Sequence, residues 1–130
     1  MVGRNNPFNI RYMSVNNWYG QALPPRKGFC QFFEFDFGLR AGFVLLRNYI
    51  RDGLDSVYQI IPKFAPPSEN DTNKYIDYVL SQFDSFGLSP FKITFNSNSF
   101  YVLCRAILFY ESHYQLTVEH YKKIIYEYFR

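Results

Sequence analysis

The sequence predicts a mostly α (α+β) single domain with a small β-hairpin near the N-terminus. Three observations carry this expectation. A chain of 130 residues can bury one core but not two. Asn, Pro and Gly punctuate residues 5–28. From Gly38 onward the apolar residues recur with a helical period.

In the front part, the short apolar stretches 10–13 and 18–19 stand among turn formers, which suggests loops and a small hairpin. The Phe-dense run 28–35 is expected as the returning strand. Leu39, Phe43, Leu46 and Ile50 fall on one stripe and predict a helix from Gly38 that ends at Gly53. Residues 54–64 form a second, shorter helix stopped by Pro66 and Pro67. Asp71 is suited to cap a third helix over 72–83, with Tyr75, Val79 and Phe83 aligned. Residues 85–97 contain Gly87 and Pro90 and read as a connector. A fourth helix covers 99–111, and Thr117 caps a fifth that reaches Phe129. No internal repeat is visible.

Composition narrows the function. Aromatic residues make up 22% and charged residues 19%, the reverse of what a disordered tail requires. Seven Gly and seven Pro exclude a collagen-like or low-complexity chain. No run of about 18 apolar residues is free of charge, so membrane insertion is not expected. Residues 1–7 have no apolar segment behind them, so no Sec-type signal is expected, and export would need another route. A net charge of +3 is too mild to imply nucleic acid. It suits a soluble protein that meets an anionic surface. Two cysteines, Cys30 and Cys104, allow at most one bridge.

Glu111 is the most informative residue. Phe100, Leu103, Cys104, Ile107 and Leu108 form the apolar face of the fourth helix, and Glu111 continues that stripe. A carboxyl there is partly desolvated and sits near a helix C-terminus, where negative charge is disfavoured. Both effects raise its pKa, as a general acid at neutral pH requires. The competing reading is a Glu that turns outward to water.

Several motifs carry a resemblance. They are Asn5-Asn6-Pro7-Phe8-Asn9-Ile10-Arg11, Trp18-Tyr19-Gly20, Gly28-Phe29 and Phe35-Asp36-Phe37-Gly38-Leu39-Arg40-Ala41. Further on, Phe64-Ala65-Pro66-Pro67-Ser68-Glu69-Asn70-Asp71-Thr72, Tyr75-Ile76 and Arg105-Ala106-Ile107 continue it. Together they resemble a phage and prophage cell-wall lysin family. That family is related to the muralytic structural protein of an enveloped RNA phage and belongs to the lysozyme-like superfamily. The front also resembles bacterial glucosaminidases, whose catalytic Glu lies upstream, at a helix end. Here Glu111-Ser112 has that character at the opposite end of the chain, which implies the same parts in circularly permuted order.

The resemblance implies a lysozyme-like domain that degrades peptidoglycan, cutting the glycan strand between amino sugars as a lytic transglycosylase, muramidase or glucosaminidase. Such cleavage needs a proton delivered to the leaving oxygen, a role for Glu111. If hydrolysis needs a second carboxylate, Glu34, Asp36, Glu69 and Asp71 are candidates; Asp36 matches an acidic position of the lysin family. An acid ahead of the Gly38 helix also stabilises its positive end, a competing reason for Asp36. Glycan binding needs flat apolar faces, which Trp18 and Tyr19 supply, and amides for N-acetyl groups, which Asn6, Asn9 and Asn70 supply. Asn6 and Asn9 equally suit turns around Pro7, and Trp18 equally suits the core. Tyr75 matches a recurrent Tyr of transglycosylase sites; alone it reads as a core residue of its helix.

The partners implied are peptidoglycan strands and a virion or secretion apparatus. The setting is a protein made in a host cytoplasm that acts on the cell wall, as a virion-associated lysin, an endolysin released at lysis or a delivered toxin. A non-catalytic virion or wall-binding protein on the same scaffold, and a peptidoglycan endopeptidase, are the alternatives. No cofactor is expected. His113 and His120 lack an acidic partner at metal spacing, so no metal site is expected. Residues 27–35 echo an RNA-binding strand only superficially, and neither cysteine has a thiol-protease arrangement. Arg40, Arg47 and Arg51 read as a solvated face, with contact to anionic wall polymer the sharper alternative.

Overall fold

The computed structural model describes residues 1–130. The chain is mostly α-helical, with one two-stranded antiparallel sheet near its start. The strands are β1 (Gln21–Arg26) and β2 (Phe29–Phe32), and the helices are α1 (Phe35–Arg51), α2 (Val57–Phe64), α3 (Thr72–Ser85), α4 (Asn98–Ser112) and α5 (Val118–Tyr128). No helix is long and apolar enough to cross a membrane.

Four helix starts follow directly from short polar side chains. Ser56, Asp71, Ser97 and Thr117 each accept the backbone N–H three residues on, those of Gln59, Lys74, Phe100 and His120. Helix α1 starts at Phe35 rather than Gly38 and lacks this signal, because its N-cap Glu34 makes no side-chain cap bond. Helix α2 starts at Val57 rather than residue 54, since Ser56 supplies its cap.

The hairpin is also displaced from expectation. The returning strand β2 lies within the expected run, but its partner is β1, after the apolar stretches at 10–13 and 18–19. Pro24 and Pro25 lack backbone N–H groups, and the register shifts between Ala22 and Arg26. Residues 10–13 contribute only an isolated bridge, Arg11 to Phe29.

Helix α4 runs through the centre. Phe100, Val102, Leu103, Cys104, Ala106, Ile107 and Leu108 are all buried, so it is apolar on nearly every side. It packs chiefly on α3, and its Phe100 meets Phe43 of α1 at 6.0 Å and Tyr121 of α5 at 6.4 Å. Leu39 and Leu46 of α1, Ile60 and Ile61 of α2, and Tyr75, Val79 and Phe83 of α3 are buried in the same core. Cys30 and Cys104 are both buried and free. They are thiols of the core, and burial pushes the Cys30 pKa up to about 11.

The N-terminal loop is tied to this core at two points. Phe8 is fully buried and meets Phe43 edge-on at 6.1 Å and Phe64 at 6.4 Å. It fits only because residue 42 is glycine: a Cβ there would lie 2.0 Å from the Phe8 ring. Asn6 is the second anchor. Its amide donates to the carbonyls of Ile10 (3.0 Å) and Cys30 (2.9 Å), and its oxygen accepts from Ile10 N–H (2.9 Å).

Candidate active site

Helix α4 leaves the core at its last turn, where His113 takes the left-handed conformation and ends it. Glu111 stands in that turn. Its Oε2 accepts the Tyr75 hydroxyl at 2.8 Å, and its Oε1 accepts the Asn9 amide at 3.1 Å. The same Asn9 amide donates to the Glu111 carbonyl at 3.1 Å, satisfying one of the orphan acceptors of the helix end. Burial raises the Glu111 pKa above the ordinary carboxylate range, against the two hydrogen bonds, which favour the charged form. Tyr75 is fully buried, and its hydroxyl is pushed well up by burial and by the adjacent Glu111 charge.

Local structure explains this convergence. Asn9 has φ 53°, a left-handed conformation that asparagine tolerates better than most residues, and its N–H closes a turn on Asn6. Asn6 fixes the loop and Phe8 seats it, so the next polar side chain, Asn9, reaches Glu111 across 102 positions of sequence. Tyr75 lies one turn into α3, and its ring stacks on Tyr110 with 3.8 Å between centroids.

Glu111 lines a cavity of about 110 Å³ with Asn9, Arg11, Phe29, Phe64, Ala65, Glu69 and Asn70. A neighbouring cavity of about 220 Å³ shares Asn9, Arg11, Phe64 and Glu69 and adds Trp18, Leu45, Tyr49 and Lys63. The shared residues make the two cavities one groove. Arg11 Nε and Glu69 Oε2 pair at 3.0 Å where they meet, and the Arg11 guanidinium lies 4.6 Å over the Phe29 ring. Two polar atoms on the groove residues, Asn9 Oδ1 and Trp18 Nε1, are buried without a partner.

Glu111, Asn9, Asn70, Tyr75 and Trp18 are thus brought to one region, Tyr75 through its hydrogen bond. Two expectations need correction. Asn6 is 0% exposed, and its amide and carbonyl are spent on backbone groups, so it is no substrate ligand but the brace of the loop. Asp36 does not line the groove. It stands in the first turn of α1, with Oδ1 2.7 Å from His120 Nε2 and Oδ2 2.6 Å from Lys123 Nζ. Burial alone would raise its pKa, but the hydrogen bonds and charges of Lys123 and His120 outweigh this and hold it low. Asp36 ties α1 to α5, away from the groove that Glu111 lines.

Two groove residues, Arg11 and Phe64, were not singled out from the sequence. Their only sequence signal is membership of the motif runs, because their partners lie far away in the chain. Arg40 and Arg47 lie over aromatic rings, Arg40 at 5.1 Å from Tyr19 and Arg47 at 5.3 Å from Phe129. Another cavity, of about 580 Å³, lies between the start of α4 and α5; its lining includes Lys122 and Arg130 but no Asp or Glu side chain.

No protein-family model matches the chain. Over 82 residues, 60% of its length, it is 39% identical to Protein P5 of Pseudoalteromonas phage PM2. The chain spans about half of that relative, 51% of its length.

Proposed function

We propose that this protein cleaves the glycan strand of peptidoglycan, with Glu111 as general acid and then base. The observation that carries the reading is a half-buried carboxyl of raised pKa, held by Tyr75 and Asn9, at the wall of an open groove. A raised pKa keeps a carboxyl protonated nearer neutrality, where it can give its proton to the leaving oxygen. The groove offers Trp18, Tyr49 and Phe64 as apolar surface and the Asn9 and Asn70 side chains as polar contacts. The arrangement fits the resemblance to lysozyme-like lysins, and the phage relative is consistent with a virion-associated or lysis-released wall enzyme.

Purified protein incubated with peptidoglycan sacculi should release fragments with new sugar ends, resolved by mass analysis. Reducing ends mark a hydrolase and anhydro ends a transglycosylase. New amino termini in place of sugar ends would instead make it an endopeptidase. Binding to sacculi without release would make it a non-catalytic wall-binding protein.

A further inference from the structure

We propose that Glu69 is the second carboxylate of this site, taking a proton from water so that the glycan strand is hydrolysed rather than closed to an anhydro sugar. The inference rests on the glycan-cleaving reading above and names its reaction class and a further catalytic residue. Glu69 and Glu111 are the two carboxylates that line the same cavity. The other acidic candidates stand outside this cavity: Glu34 and Asp36 lie at the start of α1, with Asp36 bound to His120 and Lys123, and Asp71 caps α3 by accepting the Lys74 N–H.

The two carboxyls differ in setting. Glu111 is half-buried, and its contacts are an uncharged amide and a hydroxyl. Glu69 is 40% exposed and paired with the Arg11 guanidinium at the groove's midpoint. The Glu69 carboxylate faces solvent, where a water molecule can reach it and hand it a proton. A carboxyl in a less polar setting keeps its proton and can donate it. One cavity thus holds a donor and an acceptor, with water able to enter from the side of Glu69.

Glu111 gives its proton to the glycosidic oxygen as the bond from that oxygen to the anomeric carbon breaks. A water oxygen bonds to the same carbon, and Glu69 takes the proton that water loses. The products are one alcohol and one new reducing end. Glu111 is left ionised and Glu69 protonated, and exchange with solvent restores both. Asn70, on the same loop as Glu69, donates its amide to the Pro66 carbonyl at 3.2 Å and steadies the loop that carries the base.

Digestion of sacculi in ¹⁸O-water tests this. Wild-type protein should yield reducing ends carrying one ¹⁸O per cut. Glu69→Gln should lose that labelled product by at least about 100-fold while still binding sacculi, with unchanged far-UV circular dichroism. Glu69→Ala with added azide should regain cleavage and release a glycosyl azide, a product that repair of a merely structural ion pair would not give. Unlabelled anhydro ends from wild-type protein overturn the proposal. So does hydrolysis by Glu69→Gln within about threefold of wild type, or the absence of azide product. Glu111→Gln, assayed beside them, separates the two readings. Full activity in that variant sinks the role of Glu111 itself, whatever Glu69 does.

Discussion

Glu111 places a charge where the fold would prefer none. Its pKa is raised in the folded protein, so the folded state binds protons more tightly than the unfolded chain. Stability from this group is therefore greatest below the ordinary carboxylate range and falls as pH rises through the raised value. Glu111→Gln removes the buried charge and keeps an oxygen to accept from Asn9. Thermal unfolding at neutral pH should show a Tm equal to or above wild type, while sacculus cleavage drops about 10²- to 10⁴-fold. A lowered Tm with activity retained would reverse that assignment. Tyr75→Phe acts on the same carboxyl from the other side. The lost hydroxyl favoured the ionised form, so the Glu111 pKa should climb further and the alkaline limb of the cleavage profile should move to higher pH. The variant should also lose about 1–3 kcal/mol of stability, since a buried carboxylate oxygen loses its partner. A profile that stays in place would separate Tyr75 from the titration of Glu111.

At the scale of elements, two seams hold the site in place. The first is the contact of the N-terminal loop with α1 through Phe8 and Gly42. Gly42→Ala puts a methyl into the Phe8 ring, so the loop must move and carry Asn9 away from Glu111. Overpacking of this kind costs about 1–3 kcal/mol, and chemical denaturation should show that loss together with reduced cleavage. The second seam joins α1 to α5 through Asp36, His120 and Lys123. The Asp36 pKa is depressed, so its contribution is present above the ordinary carboxylate pKa and is lost as pH falls through the folded value. Asp36→Asn should lower the Tm at neutral pH and flatten its acid limb, with cleavage by folded protein unaltered. The helices were legible in the sequence because Asp71 and Thr117 announce two of them and Leu39, Phe43 and Leu46 mark a buried face; the caps Ser56 and Ser97 emerge only in the structure. The start of α1 was not legible, because Glu34 leaves its side chain out of the cap. Strand β1 was not, because its Gln-Ala-Leu-Pro-Pro-Arg sequence has neither β-branched residues nor alternation.

At the scale of the molecule, the candidate site exists only when distant parts of the chain meet. Glu111 could be singled out from one helix, since a carboxylate on an apolar stripe is a local signal. The groove around it could not, because Asn9 lies 102 residues from Glu111 and Arg11 lies 58 from Glu69. The misassignment of Asn6 has the same origin: only Pro7 and Phe8 separate it from Asn9, yet one amide braces the loop and the other faces the carboxyl. A groove assembled across the whole chain should persist as long as the core does and vanish with it. Trp18 makes this measurable, being the one tryptophan of the chain and a residue of the groove wall. In a urea titration its fluorescence reports the groove, far-UV circular dichroism reports the helices, and residual cleavage reports Glu111. A domain of this size with one core should unfold in a single cooperative transition, so the three midpoints should coincide. An earlier fluorescence midpoint would instead make the N-terminal loop a separately opening unit that leaves α4 intact. In that case Asn9 would leave Glu111 before the core fails, and cleavage should track the fluorescence curve rather than the dichroism.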